Sequence, residues 1–65
     1  MPSLQQLDWF TDIIQRRFPS LEYRFVRNKL NNITDEQYDY LKRLLGDEYR
    51  AEFDSELTKL EILSL

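Results

Sequence analysis

Along the first third of the chain, hydrophobic residues recur with the three- and four-residue spacing of an amphipathic helix. The series consists of Leu4, Leu7, Phe10, Ile14 and Phe18. Ser3 and Gln6 have the spacing of a capping box, in which each side chain binds the backbone N–H of the other residue. Pro19 disfavours helical backbone at the residue before it. The pattern predicts a first helix over about residues 4–17.

The segment that follows allows two interpretations. Between Leu21 and Phe25, hydrophobic and polar residues alternate, which is typical of a strand over about 21–27. The same hydrophobic residues, with those just after them, also share one broad face of a helix. A strand needs a partner, the only candidate is about 62–65, and an isolated two-stranded pair is marginal in water. We therefore predict a second helix over about 20–31, with the strand as the alternative.

A second capping box opens the next element. Thr34 and Gln37 have its spacing, and Ile33 and Tyr38 stand at the positions of a hydrophobic staple. Acidic residues follow the cap and basic residues end the segment, which matches the helix dipole. These signals predict a third helix over about 35–45.

The end of the third helix and the start of a fourth are predicted from two adjacent residues. Gly46 is expected to adopt the left-handed conformation that ends a helix, and Asp47 is expected to cap the next one. The apolar stripe of a fourth helix, about 48–62, contains Tyr49, Phe53, Leu57, Leu60 and Leu63. Because the connections are short, we predict an all-α fold, a compact bundle of four short helices in one domain, 1–65.

Composition narrows the function classes. The 65 residues contain no Cys and no His, which excludes disulfides, Cys/His zinc sites, thiol nucleophiles and His-based triads. No glycine-rich phosphate loop or calcium-loop pattern is present, so we expect no catalytic residues, no metal site and no cofactor. No apolar stretch is long enough to span a membrane, and no signal-peptide pattern opens the chain. These observations predict a non-enzymatic cytoplasmic protein.

Charge is distributed unevenly around a net value of −3. Residues 1–32 contain five basic and three acidic residues, whereas residues 33–65 contain four basic and nine acidic ones. In the second half, Glu48, Glu52 and Glu56 repeat every four residues, directly after Asp47. These four residues, here called the acidic flank, are predicted to bind a basic surface of a protein partner. The alternative is an ordinary solvated helix face.

In the first half of the chain, basic residues form the opposite cluster. This basic cluster consists of Arg16, Arg17, Arg24, Arg27 and Lys29. Guanidinium groups beside aromatic rings could bind nucleic acid, but an isoelectric point near 4.8 argues against independent nucleic-acid binding. We expect Phe25 to lie in the core. The cluster is interpreted as a secondary basic surface; the alternative is that the basic second helix lies beside the acidic fourth helix of the same chain.

Trp9 stands at the edge of the first apolar stripe, and Tyr40 is similarly placed on the third helix. We expect Trp9 to lie in the core, because so small a domain needs its area; an exposed interface anchor is the alternative. Exposed aromatics would favour the second function class, a self-associating helical structural or accessory subunit. That class includes inhibitors encoded by phages or mobile elements.

The order of residues in the third and fourth helices resembles the Hha/YmoA family of small nucleoid-associated modulators. The resemblance is based on the capped stretch 33–37, on Gly46 to Phe53 and on Asp8-Trp9-Phe10, and it covers about residues 8–53 with small gaps. Glu48 and Gly46 depart from the family, which has His and Ala there.

The resemblance implies a four-helix protein that docks on the N-terminal dimerisation region of the silencing protein H-NS. It also implies that Asp47 is the position of the family's acidic contact, with Glu52 one turn further on, and that transcription is modulated without reading DNA sequence. The residues themselves predict, more generally, a small regulatory or inhibitory protein that acts by protein–protein interaction.

Overall fold

The computed structural model describes residues 1–63, which form four α-helices and one 3₁₀ turn. The helices are α1 (Leu4–Arg17), α2 (Tyr23–Leu30), α3 (Asp35–Arg43) and α4 (Arg50–Lys59). The 3₁₀ turn, Asp47–Tyr49, directly precedes α4. Across this described range there is no strand, so the predicted all-α fold is confirmed. The strand alternative required residues 64 and 65 as well, which lie outside the described range.

Both predicted capping boxes are formed. The backbone N–H of Gln6 donates to the Ser3 hydroxyl at 3.1 Å, and the Ser3 N–H donates to Gln6 Oε1 at 2.8 Å. The Thr34 and Gln37 pair repeats this arrangement at 3.1 and 2.9 Å. These bonds satisfy N–H groups that a helix leaves without partners, and they fix where α1 and α3 begin.

The second helix is shorter than the predicted range of about 20–31. A tight turn follows α1, in which the Leu21 N–H donates to the Phe18 carbonyl at 2.9 Å. Pro19 lies inside this turn, so the chain completes it before helical backbone begins at Tyr23. The residues that also fit a strand pattern are helical from Tyr23 onward because the helix buries Val26 and Leu30.

The connection between α3 and α4 differs from its prediction in two respects. Gly46 has a φ of −70° and is therefore not left-handed, because bonds from the Leu44 and Leu45 N–H groups to carbonyls three residues earlier already close α3. The Asp47 side chain makes no capping hydrogen bond; it is the first residue of the 3₁₀ turn. Both predictions at this boundary were wrong.

Among residues 1–63, the one with left-handed backbone is Glu61, with a φ of 62°. The Glu61 N–H donates to the Thr58 carbonyl and the Ile62 N–H to the Leu57 carbonyl, both at 2.9 Å. This pair of bonds is a Schellman motif, which also brings buried Ile62 against the end of the helix. A glutamate occupies the position that usually holds glycine, so α4 ends at Lys59, earlier than predicted.

The core is built around Phe10 of α1, which is fully buried. Its ring makes edge-to-face contacts with Tyr38 of α3, at 5.5 Å between centroids, and with Phe53 of α4, at 6.1 Å. The helices therefore share one hydrophobic core, whose other members include Leu7, Ile14, Val26, Leu30, Ile33, Leu41, Leu44, Leu57, Ile62 and Leu63.

Two aromatic residues expected in the core are half-exposed instead. Trp9 is 44% exposed and Phe25 is 41% exposed. On α1, the buried face is set by Leu7, Phe10 and Ile14, and a position directly before Phe10 lies well outside that face at 3.6 residues per turn. On α2, the buried residues leave Phe25 on the flank. Leu4 and Tyr49, placed on apolar stripes by spacing, are also exposed.

No helix among residues 1–63 has both the length and the apolar composition needed to cross a membrane.

Candidate functional site

The acidic flank is divided between two elements. Asp47 and Glu48 belong to the 3₁₀ turn, and Glu52 and Glu56 lie one helical turn apart on α4. The structure brings the latter two together, because both line one open depression between α3 and α4. The residues of the 3₁₀ turn do not line this depression, so only two of the four residues of the acidic flank share it.

The depression has a volume of about 380 Å³. Besides the two glutamates, it is lined by Tyr40, Ala51, Ser55 and Lys59. A small adjoining hollow of about 30 Å³ extends it towards Leu41 and Leu60. The depression therefore combines two carboxylates, one aromatic ring and an apolar edge.

Its two carboxylates differ in their electrostatic state. Lys59 Nζ lies 3.4 Å from Glu56 Oε1, so the charge of Glu56 is partly compensated within the chain. In the part of the chain that the structure describes, no cation lies within 4 Å of the side chains of Glu52, Glu48 or Asp47. Of the two glutamates that line the depression, Glu52 is thus the uncompensated one.

Tyr40 provides the aromatic wall of the depression and is 41% exposed. The Arg43 guanidinium lies 6.0 Å from its ring centroid, at the limit of a cation–π contact. One face of the ring is thus already close to a cation from this chain.

The basic cluster differs from the acidic flank, because most of its cations contact carboxylates of the same chain. Arg16 pairs with Asp12 at 3.0 Å within α1, and Lys29 pairs with Glu61 at 3.6 Å. Arg24 is exposed on α2 and, within residues 1–63, has no carboxylate within 4 Å.

Arg27 links α2 to α1. Its Nε donates to Asp8 Oδ1 at 2.9 Å, and its Nη1 donates to the Asn31 side chain. The Arg27 side chain is only 17% exposed. It therefore serves helix packing more than it forms a surface.

Arg17 is the most buried member of the cluster, with 14% of its side chain exposed. Its guanidinium lies 5.0 Å from the Phe53 ring centroid, and its Nη2 lies 3.8 Å from Asp54 Oδ1. That distance is an ion pair but too long for a hydrogen bond. Arg17 of α1 thus contacts α4, whereas the basic second helix packs mainly against α1 and reaches only Glu61, just after α4, through Lys29.

A feature that the sequence did not reveal is a groove between α1 and α3, lined by Gln5, Gln6, Trp9, Tyr38 and Lys42. The position of Trp9 around the axis of α1 could have indicated this groove. Leu7 and Phe10 define the core face of the helix, and Trp9 lies away from that face. Beneath the groove, burial and then the nearby Asp39 carboxylate raise the pKa of the Tyr38 hydroxyl above its usual value of 10.0.

Residues 1–63 contain no group of three acidic side chains placed to hold a metal ion. No family model, curated protein or solved structure matches this chain.

Proposed function

We propose that this chain is a small, non-enzymatic regulatory or inhibitory protein that acts in the cytoplasm. It binds a protein partner with a basic surface through the acidic flank. The observation that carries the proposal is the position of Glu52, an uncompensated carboxylate in the same depression as the half-exposed ring of Tyr40.

The chemistry of the depression favours an Arg or Lys side chain of the partner. Such a cation would pair with the Glu52 carboxylate and lie against the Tyr40 ring, which combines an ion pair with a cation–π contact. The apolar edge formed by Leu41 and Leu60 would accept an adjacent hydrophobic group. Because a partner cation must compete with Lys59 for Glu56, Glu52 contributes more to affinity than Glu56 does.

Long-range charge supports the same assignment. Residues 47–61, which include α4, contain six acidic and two basic residues, so we expect a negative potential around this helix. A potential of this kind accelerates encounter with a basic partner, and the acceleration falls as salt screens it. Asp47 and Glu48 lie in the turn that precedes α4, where they extend this potential beyond the depression.

A nucleoid-associated modulator of the Hha/YmoA kind is the specific form of this proposal. In that form the partner is the dimerisation region of H-NS, and Asp47 and Glu52 contact it. What supports it is the absence of a capping hydrogen bond from Asp47, which leaves this exposed carboxylate without the local structural role that competed with binding.

Self-association is the second candidate function. It is supported by the exposed aromatic side chains Trp9, Tyr23, Phe25, Tyr40 and Tyr49, which another copy could cover. Light scattering at several protein concentrations separates the two candidates. A strictly monomeric folded chain removes self-association, whereas a molar mass that rises with concentration supports it.

The direct experiment is affinity capture from a lysate of the source cells, followed by titration of the purified partner. We expect the Glu48→Lys/Glu52→Lys double variant to weaken binding about tenfold or more, because attraction becomes like-charge repulsion. Glu22→Lys is the control. It makes a single Glu-to-Lys reversal at Glu22, the exposed N-cap residue of α2.

Far-UV circular dichroism must first show that all variants keep their helicity. Retention of every captured protein by the double variant would refute the acidic flank as the binding surface. The double variant reverses two charges and Glu22→Lys reverses one, so a loss of binding free energy in Glu22→Lys that is about half of the loss in the double variant would show that net charge, rather than this surface, governs capture.

A further inference from the structure

The groove between α1 and α3 is separate from the acidic flank and has different chemistry. Its volume is about 330 Å³, and its walls are Gln5, Gln6 and Trp9 on α1 and Tyr38 and Lys42 on α3. None of these residues lines the depression that contains Glu52. The two surfaces lie on opposite flanks of α3, because Lys42 and Tyr40 project to different sides of the helix.

Trp9 lines this groove and is not buried in the core. Its ring stacks on Phe10 with 6.0 Å between centroids and an interplanar angle of 29°, which holds the indole against the rigid core. Nearly half of the side chain stays exposed. A rigidly supported, half-exposed Trp beside polar groups is typical of residues that carry most of the binding energy at protein interfaces.

The cation of the groove has no counter-charge. Lys42 Nζ lies 5.9 Å from the Trp9 centroid and 5.8 Å from the Tyr38 centroid. Within the described range, no carboxylate is within 4 Å of Lys42 or of its neighbour Arg43. One acidic residue, Asp39, lines the shallow depression next to the groove, together with these two cations. The local charge is therefore positive on a molecule whose net charge is negative.

The side-chain amide of Gln6 also favours a hydrogen-bond acceptor in the ligand. Gln6 Oε1 accepts the Ser3 N–H at 2.8 Å, so the Gln6 side chain has its NH₂ group left to donate. Lys42 can only donate. An acidic group fits these donors, and an apolar or aromatic side chain fits the indole face beside them.

We propose that this groove binds an acidic segment of a second protein, which seats an apolar or aromatic side chain on Trp9 and pairs a carboxylate with Lys42. The occupant is identified by charge complementarity with Lys42, which lines the groove, and with Arg43, which lines the neighbouring depression. Nucleic acid is a poorer fit, because two cations beside Asp39 do not form the extended basic track that a phosphate backbone requires. With the acidic flank, the chain becomes an adaptor that contacts two partners of opposite charge.

The test is selection of a random peptide library on the intact protein, followed by titration of synthetic selected peptides. Trp9 is the single tryptophan of the chain, so its fluorescence reports directly on the groove. We expect selected peptides that combine Asp or Glu with an aromatic or large apolar residue. Their binding should change Trp9 emission and weaken about tenfold or more in Lys42→Glu, since the ion pair becomes a repulsion.

Arg24→Glu is the matched control, because it reverses an exposed cation on α2 that the groove does not use. Lys42→Gln is the milder second variant, which removes the charge without adding a new one. The proposal is overturned if no acidic peptide is selected, or if acidic peptides bind equally well to Lys42→Glu. Equal Lys42-dependent binding of single-stranded DNA or of anionic lipid vesicles would also overturn it, because charge alone would then explain binding.

The same selection keeps the two surfaces distinguishable. Basic peptides whose binding is lost in Glu52→Lys report on the acidic flank, whereas acidic peptides whose binding is lost in Lys42→Glu report on the groove. Basic peptides alone would leave the proposed function intact and refute the groove.

Discussion

The acidic flank and the basic cluster are both runs of like charge in the sequence, yet the fold uses them in opposite ways. Four of the five cations in the basic cluster lie within 4 Å of a carboxylate of the same chain. In the acidic flank, the described contacts compensate Glu56 alone. The two runs of like charge therefore differ in how far the neighbouring elements compensate them.

The difference follows from what packs beside each run. α2 lies against α1, where Asp8 accepts Arg27, and Arg17 reaches from the end of α1 to Asp54 on α4. The exposed side of α4 has Lys59 within reach, and this lysine pairs with Glu56. The acidic charge near Glu52 therefore stays available to another molecule, while much of the basic charge stabilises the fold.

The largest expected effect on stability is at Arg17. Arg17→Ala removes the guanidinium from the Phe53 ring and leaves Asp54 without its counter-charge, so we expect a loss of roughly 2 kcal/mol in the free energy of unfolding. Urea denaturation measures this loss. Arg24→Ala, at the exposed arginine of the same cluster, should change stability by less than about 0.5 kcal/mol.

Arg17→Met keeps the packing on Phe53 but removes the charge, so it should recover part of the loss. Equal destabilisation by Arg17→Ala and Arg24→Ala would mean that the cluster does not divide into buried and exposed members.

A smaller effect on stability is expected at Glu61, an acidic residue outside the acidic flank that pairs with Lys29. Glu61→Gly should stabilise the protein by about 0.5–1 kcal/mol, because glycine adopts a left-handed φ without strain. Glu61→Ala removes the same ion pair but keeps a Cβ, so it should not reproduce the gain. Thermal unfolding of both variants tests this, and a loss of stability in Glu61→Gly would show that the exposed ion pair outweighs backbone strain.

The smallest effect concerns Tyr38 and high pH. Burial and Asp39 raise the pKa of Tyr38 in the folded chain. Above about pH 10 the unfolded chain loses this proton while the folded chain keeps it. Stability is therefore complete below that pH and falls as pH rises through the folded pKa. Tyr38→Phe should flatten this alkaline decline in urea midpoints, and an unchanged decline would show that Tyr38 does not cause it.

Much of the fold could be predicted because its signals are local. The capping boxes at Ser3 and Thr34 need only residues three positions apart, and the buried series around Phe10 needs only helical periodicity. Helix ends were harder to predict, because Gly46 permits a left-handed conformation without requiring it. Glu61 adopts that conformation because the tertiary structure places Ile62 in the core.

The candidate site was only partly predictable for a related reason. Spacing placed Glu52 and Glu56 on one face of α4, and the structure confirms that they line the same depression. Spacing cannot show that Tyr40 from α3 completes that depression, or that Lys59 compensates one glutamate. Nor could it show that Arg17 is largely buried, because its contacts come from residues far along the chain.

The central claim is that the acidic flank binds a partner whereas the basic cluster mainly stabilises the fold. The most direct test measures both unfolding and partner binding in two charge-reversal variants, one from each group. Glu52→Lys should weaken partner binding about tenfold or more while changing the free energy of unfolding by less than about 0.5 kcal/mol. Arg27→Glu should do the opposite, lowering stability by about 1–2 kcal/mol through repulsion from Asp8 and leaving binding unchanged. The reverse pattern, with binding lost in Arg27→Glu and retained in Glu52→Lys, would contradict the account.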